Sequence, residues 1–273
     1  MSRASEEEVI KRLLTAVVAL PLLIALIVKG GATLFAALIL IVTFIGLVEF
    51  YRMALPDRKA ESLTAAALGA PVVLLPLFDK SLLLPVLTAL VLVAALTLLF
   101  RFRDISQATR EWATLAAGFL YVPLLLSQLI LLRAEPSGQL WILLLLLIVM
   151  SGDSAAYYVG TAFGKNRLYP AVSPKKSIEG SLGGLAGSLV GAFLAKSTFF
   201  PGLTAVDCIA TALVLVVIGQ LGDLFESLLK RSCGVKDSGT IIPGHGGILD
   251  RLDSILFAAP VAWWYAHYIF TGA

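Results

Sequence analysis

Charge is what this 273-residue chain has least of. Asp, Glu, Lys and Arg together make up 14% of it, against 59% hydrophobic residues and a mean hydropathy of +0.93. A soluble globule of this length needs far more polar surface, so the composition excludes one and predicts an integral membrane protein. Cysteine is nearly absent too. Cys208 and Cys233 stand near opposite ends of one apolar run and its exit, where a helix would hold them about 35 Å apart, which excludes an intramolecular disulfide. No small-residue cleavage site follows the charged head "MSRASEEEVIKR", and "LIVKGGATLF" leads straight into a second apolar run. The first run is therefore expected to be a retained helix and not a signal peptide. The phosphate-cradling pattern GxxxxGK[ST] is missing as well, so any phosphate would be held by a different arrangement.

What is present is long apolar runs. Spanning the hydrocarbon takes about 20 mostly apolar residues, and nine such runs lie near 13–28, 32–54, 62–78, 81–100, 112–132, 139–162, 180–200, 204–229 and 252–271. The fold class expected is an all-α integral membrane protein with nine transmembrane helices. With the N-terminus cytoplasmic and the C-terminus outside, 17 of the 21 Lys and Arg residues fall on the inner side, leaving Lys29, Lys80, Arg133 and Lys196 outside. That asymmetry is the positive-inside pattern of a multi-pass protein of the inner (plasma) membrane.

Two regions are expected. Residues 1–133 carry five spans with charges almost entirely at their ends, and read as a transmembrane scaffold; Glu49 and Arg52 at the inner end of the second span read as a snorkelling pair. Residues 134–273 carry four spans with polar residues inside them and long cytoplasmic loops. There Gly183, Gly187 and Gly191 recur at every fourth position, with Gly180 and Gly184 on a neighbouring row, a spacing that lets helix backbones approach closely in lipid. The stretch "WWYAHY", with His267, reads as an interfacial aromatic belt.

The chemistry-bearing residues gather in this second region. Asp153 in "VMSGDSAAYYVG" follows uninterrupted hydrocarbon, and an intramembrane carboxylate is costly enough to suggest a function. Asp223, Ser227, Lys230 and Arg231 fall at i, i+4, i+7 and i+8, one helical face that would meet anionic lipid headgroups. Asp250 and Asp253 stand three apart at the start of the last span; a divalent cation would turn their repulsion into attraction, whereas a helix-terminus role explains one of them better than both. The glycines of "SGTIIPGHGG" can turn N–H groups toward an anion, with Lys236, His245 and Arg251 around them. The loop "FGKNRLYPAVSPKKSIEGSLGG" adds Lys165, Arg167, Lys175 and Lys176, with Pro174 stiffening the approach. A metal-suited carboxylate group beside a Gly-rich loop and many cations, at headgroup depth, suits phosphoryl or nucleotidyl transfer.

The run "SLLKRSCGVKDSGTIIPGHGGILDRLD" resembles the signature of the phosphatidate cytidylyltransferases, or CDP-diglyceride synthases. Ser227, Lys230, Arg231, Lys236, Asp237, His245, Gly246, Gly247, Asp250, Arg251 and Asp253 stand in register. "GDSAAYYVGTAFGK" and "SPKKSIEGSLGG" look like two further stretches of that family, with Ser177 where threonine is expected. The resemblance is specific over residues 151–254. It implies a Mg²⁺-dependent nucleotidyltransferase of phospholipid biosynthesis, with room for a second cation, that joins CTP and phosphatidate into CDP-diacylglycerol and pyrophosphate at the cytoplasmic face. Membrane lipids and a second copy of the chain in a homodimer are the further partners implied, and nucleic acid is not. By motif position Asp223, Asp250 and Asp253 would hold metal. Ser227, Lys230, Arg231, Lys236, Asp237, His245 and Arg251 would act in catalysis and phosphate binding. Asp153, Lys175, Lys176, Ser177, Glu179, Gly246 and Gly247 would contact substrate.

Two rival readings are weaker. A transporter should show repeat symmetry between halves and a midplane site, whereas these charges cluster in one half and on one face. A CDP-alcohol phosphotransferase needs an Asp-Gly, Ala-Arg and two spaced aspartates, and no such run is present.

Overall fold

The computed structural model describes residues 20–241 and 246–272. His245, and residues 13–19 of the first expected span, lie outside the described residues. The helices are α1 (Leu20–Lys29), α2 (Gly31–Ala54), α3 (Lys59–Gly69), α4 (Leu83–Arg101), α5 (Ala108–Ala134), α6 (Gly138–Phe163), α7 (Ile178–Thr198), α8 (Ala205–Ser232) and α9 (Leu249–Trp264). A π-helical turn, Tyr265–Ile269, continues α9. Among the described residues seven helical stretches are long and apolar enough to cross a membrane, from Gly31–Ala54 to Ala205–Ser232. The chain is a multi-pass helical membrane protein.

The third expected span is interrupted. α3 gives way to a 3₁₀ stretch, Ala70–Leu77, with proline at its start and Pro76 inside it; each proline removes a backbone donor and the regular α-helical ladder cannot continue. Between α6 and α7 the basic loop is not irregular either. It forms an antiparallel hairpin of β1 (Arg167–Tyr169) and β2 (Ser173–Ser177).

The chain divides into two compact units, Met1–Ile130 with Asp237–Asp250, and Leu131–Lys236 with Arg251–Ala273. In the first, α2 and α5 meet through Tyr51, whose hydroxyl donates to the Leu115 carbonyl at 2.9 Å and whose ring meets Phe119 edge-on. Gly118 lies against that ring, where a Cβ would collide with it. At the start of α3, Arg58 is only 2% exposed. Its guanidinium donates twice to Glu111, both bonds at 2.7 Å, and once to the Arg101 carbonyl at 3.1 Å. One planar fork thus ties the α2–α3 turn to the end of α4 and the start of α5.

In the second unit the glycine row does what its spacing predicts. A Cβ at Gly180 would come within 2.8 Å of the Ala156 carbonyl oxygen, and one at Gly183 within 2.6 Å of Val159. Gly187 and Gly191 face Ser151 in the same way, so α7 lies backbone to backbone on α6. Gly184 receives the Gln220 side chain of α8, whose amide also donates to the Ser181 carbonyl at 3.3 Å. Cys208 is buried in α8 and Cys233 ends that helix; both are free thiols. At the other end of the unit, Trp263 and His267 stack and share the Glu135 carboxylate, at 3.0 and 2.8 Å.

Removing one member of a mostly buried ion pair strands the other, at a cost of about 3–5 kcal/mol. Arg58→Met is therefore expected to lower the unfolding temperature of the detergent-solubilised protein by several degrees, and an unchanged transition would contradict the anchoring role. Gly187→Val must force α6 and α7 apart. It should reduce the yield of folded protein in membranes, whereas a valine at the exposed Leu182 should leave that yield intact.

Candidate active site

Within the second unit three helices bring aspartates together: Asp153 from α6, Asp223 from α8 and Asp253 from α9. The approach of α8 to α9 depends on Gly222, which lies against the Asp253 carbonyl and the Phe257 ring, with no space for a Cβ. The charge of Asp223 acts on both Asp153 and Asp253; Lys176 and Arg251 act on Asp153, and Lys230 on Asp253. Lys176 Nζ stands 2.5 Å from Asp223 Oδ2, with both side chains more than a quarter exposed. This ion pair joins the "SPKKS" hairpin to the acidic helix. Because neighbours in a strand point to opposite faces, Lys175 lies on the other side of the ribbon and is exposed.

The hairpin is held locally. Ser177 is buried and caps α7 by accepting from Gly180 N at 3.1 Å. Glu179 accepts from Lys165 N and Asn166 N, and from the Asn166 side chain at 2.7 Å. Those contacts close the loop on itself, and they are what the structure shows these two residues doing.

The expected face of α8 is only partly what the helical spacing suggests. Arg231 is exposed and donates to the Val235 carbonyl at 3.1 Å, and Ser227 is half-buried. Lys230 does not present itself to headgroups: it is 8% exposed, with its ammonium 3.1 Å from Glu226, which is fully buried. Glu226 was not singled out from the sequence. Its signal is the i, i+4 Glu–Lys spacing inside an apolar span.

In the first unit Asp250 is 9% exposed. Its Oδ2 accepts from Ser238 N at 2.9 Å, Ser238 Oγ at 3.0 Å and Gly247 N at 2.9 Å. Of the two readings of this carboxylate, the helix-terminus one has direct geometric support. Gly246 adopts φ +82°, and a Cβ there would sit 2.8 Å from the same carboxylate oxygen, so only glycine suits both conformation and space.

Glu49 belongs to the same cluster. The snorkelling pair expected of Glu49 and Arg52 is not formed: Arg52 is exposed, while Glu49 is 3% exposed and faces inward. Its two oxygens accept from Ile248 N at 3.1 Å and Leu249 N at 2.9 Å, and Ser238 Oγ donates to it at 3.1 Å. Gly239 and Gly247 both press against this carboxylate. The main-chain N–H groups of Ser238, Gly247, Ile248 and Leu249 thus turn toward an anion, as the Gly-rich run suggests, but the anion is internal. Lys236, Asp237 and Arg251 have exposed side chains.

Carboxylate oxygens are the hard donors that Mg²⁺ takes, and the donor chemistry of Asp223 and Asp253 fits that ion. Among the described residues no three carboxylate, imidazole or thiolate groups already close on one point; the Lys176 ammonium lies on Asp223 instead.

The sequence model of the Cytidylyltransferase family matches residues 10–269. A phosphatidate cytidylyltransferase of Staphylococcus saprophyticus is 34% identical over 259 residues, covering 92% of this chain and 96% of the relative. That of Staphylococcus aureus (strain COL) is 36% identical over 262 residues with the same coverage, and that of Staphylococcus haemolyticus is 34% identical over 259. Similarity over 92% of this chain and 96% of the relatives places the chain in a single family: it belongs to the Cytidylyltransferase family.

Proposed function

We propose that the chain is a phosphatidate cytidylyltransferase, which joins CTP and phosphatidate into CDP-diacylglycerol and releases pyrophosphate. Similarity to relatives of that name over 92% of the chain supports the reading, and the Lys176–Asp223 ion pair is the observation in the structure that carries it. It sets a basic hairpin against an acidic helix, the pairing a reaction between two polyanions needs. The enzyme works in the plasma membrane with nine spans, N-terminus inside, C-terminus outside and the site at the cytoplasmic face. The distribution of Lys and Arg supports that topology. Residues 134–273 carry the chemistry and residues 1–133 serve as scaffold, Glu49 apart; the protein acts as a homodimer, as the family resemblance implies.

The reaction is a single in-line displacement. A phosphatidate oxygen forms a bond to the α-phosphorus of CTP, the bond from that phosphorus to the bridging oxygen breaks, and the electron pair leaves on pyrophosphate. No protein nucleophile is required, because phosphatidate is already an anionic oxygen nucleophile; what it needs is alignment and charge screening. Asp223 and Asp253 would hold Mg²⁺; a metal role for Asp250 is implied by the family resemblance alone. Bound there, the ion would neutralise the charge of the two approaching phosphates. Lys176 is released from Asp223 as phosphate arrives. Lys175, Arg231, Lys236 and Arg251 then stabilise the departing pyrophosphate as exposed cations.

Asp223→Asn is expected to remove most activity, at least about a hundredfold, with the folded protein still recovered from membranes. Asp253→Asn should be impaired in the same assay of CDP-diacylglycerol formation from radiolabelled CTP. Lys176→Met should raise KM for CTP more than it lowers kcat. Wild-type activity of Asp223→Asn at saturating Mg²⁺ would refute the metal assignment. The stereochemical course is a separate check: CTP made chiral with sulfur at the α-phosphorus should give product of inverted configuration, and retention would require a cytidylyl-enzyme and end the direct-transfer account.

A further inference from the structure

The first unit contains a buried carboxylate that the proposed chemistry does not use. Glu49 stands at the inner end of α2, yet it accepts from the two main-chain N–H groups, Ile248 and Leu249, at which α9 begins. Those groups are among the donors a helix cannot satisfy within itself. In most proteins a side chain one to three residues away does so; here the acceptor lies 199 and 200 positions earlier in the chain. A carboxylate at 3% exposure is costly to bury unless its position matters or its partners are strong.

The cluster has a definite order. Ser238 stands between the two carboxylates, its hydroxyl 3.1 Å from Glu49 Oε2 and 3.0 Å from Asp250 Oδ2, and it accepts from Asp250 N at 3.3 Å. One hydroxyl has one proton, so its donation is shared between the carboxylates or alternates between them. The orientation of Asp250 is therefore set by groups that Glu49 fixes in turn: the Ser238 hydroxyl and the main chain immediately before Asp250. The two glycines pressed on Glu49, Gly239 and Gly247, flank the loop on both sides, so a displacement of Glu49 moves both strands of it.

We propose that Glu49 is a positioning residue for cytidylyl transfer: its carboxylate fixes the first turn of α9 and, through Ser238, holds the Asp250 carboxylate in its working orientation. The inference rests on the role given to Asp250 above. Replacing outer partners of a functional carboxylate commonly costs about 10- to 100-fold in metal affinity or activity while the protein stays folded. A glutamine at 49 keeps the volume but turns an NH₂ toward one of two N–H donors, so one of the two main-chain bonds is lost.

The test uses the full-length protein in detergent and compares Glu49→Gln, Ser238→Ala, their double variant and Asp250→Asn. The readouts are kcat, KM for CTP, thermal unfolding, and Mn²⁺ affinity by electron paramagnetic resonance as a measure independent of turnover. Glu49→Gln should unfold in a cooperative transition, keep KM for CTP close to wild type, lose about 10- to 100-fold in kcat and weaken Mn²⁺ binding. The double variant should be no worse than the poorer single one, because both changes break one chain of contacts. Should Glu49→Gln fail to fold, Glu49→Asp carries the same expectations; if neither folds, Glu49 serves folding alone and the proposal is overturned. Wild-type kcat and Mn²⁺ affinity in a folded Glu49 variant, with Asp250→Asn inactive, overturn it while leaving the role of Asp250 standing. A multiplicative loss in the double variant overturns it too. Full activity in Asp250→Asn removes both together.

Discussion

Helices in hydrocarbon gain nothing by hiding apolar side chains from one another, because lipid is as apolar as leucine; close contact has to come from backbone approach and from polar groups that need partners. The second unit depends on that constraint. Gly180, Gly183, Gly187 and Gly191 lay α7 directly on α6, and Gly184 admits Gln220 of α8. The hairpin leads straight into α7 through the Ser177 cap, so the position of α7 determines where Lys176 is delivered. A wider α6–α7 spacing would carry the hairpin away from Asp223. The glycine row is therefore the reason a charge on the loop and a charge in a span meet at 2.5 Å.

Charges within this protein fall into two kinds, separated by access. Arg58 with Glu111, and Lys230 with Glu226, have their heads largely withdrawn from solvent. Such pairs are rigid, and removing one partner is expensive. Lys176 and Asp223 keep 27% and 29% of their side chains exposed. A pair whose heads are partly open is less tightly held than a closed one, so an arriving phosphate or cation can exchange with it. The weak pair is the one suited to chemistry, and the strong pairs are suited to architecture. By the same criterion Glu49, closed off and held by main-chain donors, is a fixed reference point and not a group that trades partners.

How much of this was legible in the sequence follows the range of each interaction. Hydropathy located seven of the nine expected spans among the described residues, because a run of about 20 apolar residues is a local property. The glycine spacing forecast a close helix contact for the same reason, without naming α6 as the partner, and the separation of Cys208 and Cys233 was a matter of counting along one helix. Of the motif residues, Lys176, Asp223 and Asp253 fall in one compact unit, and Asp237 and Asp250 in the other. The hairpin went unseen because two strands of three and five residues, broken by Pro170 and Pro174, leave no period to detect. Glu49 was misread as an end-of-span charge, and nothing near it in sequence could have said otherwise, since its partners lie about two hundred residues away. Arg58 looked like one more inner-side cation until Glu111 was found opposite it. Long-range polar partners are the part of a membrane fold that hydropathy does not encode.

The Gly-rich loop shows how the same physics can be used in an unfamiliar way. In a P-loop the glycines aim backbone N–H groups at a bound phosphate. Here the N–H groups of Ser238, Gly247, Ile248 and Leu249 are taken by Asp250 and Glu49. Those four donors thus fix carboxylates, and on the proposed reaction phosphate recognition passes to side-chain cations. The exposed Lys175, Arg231, Lys236 and Arg251 all belong to the second unit with Asp223 and Asp253. Flexible cations can follow phosphates that change position as the bond to pyrophosphate breaks, whereas a backbone nest holds its anion in one place. The carboxylates are the groups that must not move, and it is on them that the rigid donors of the main chain are placed.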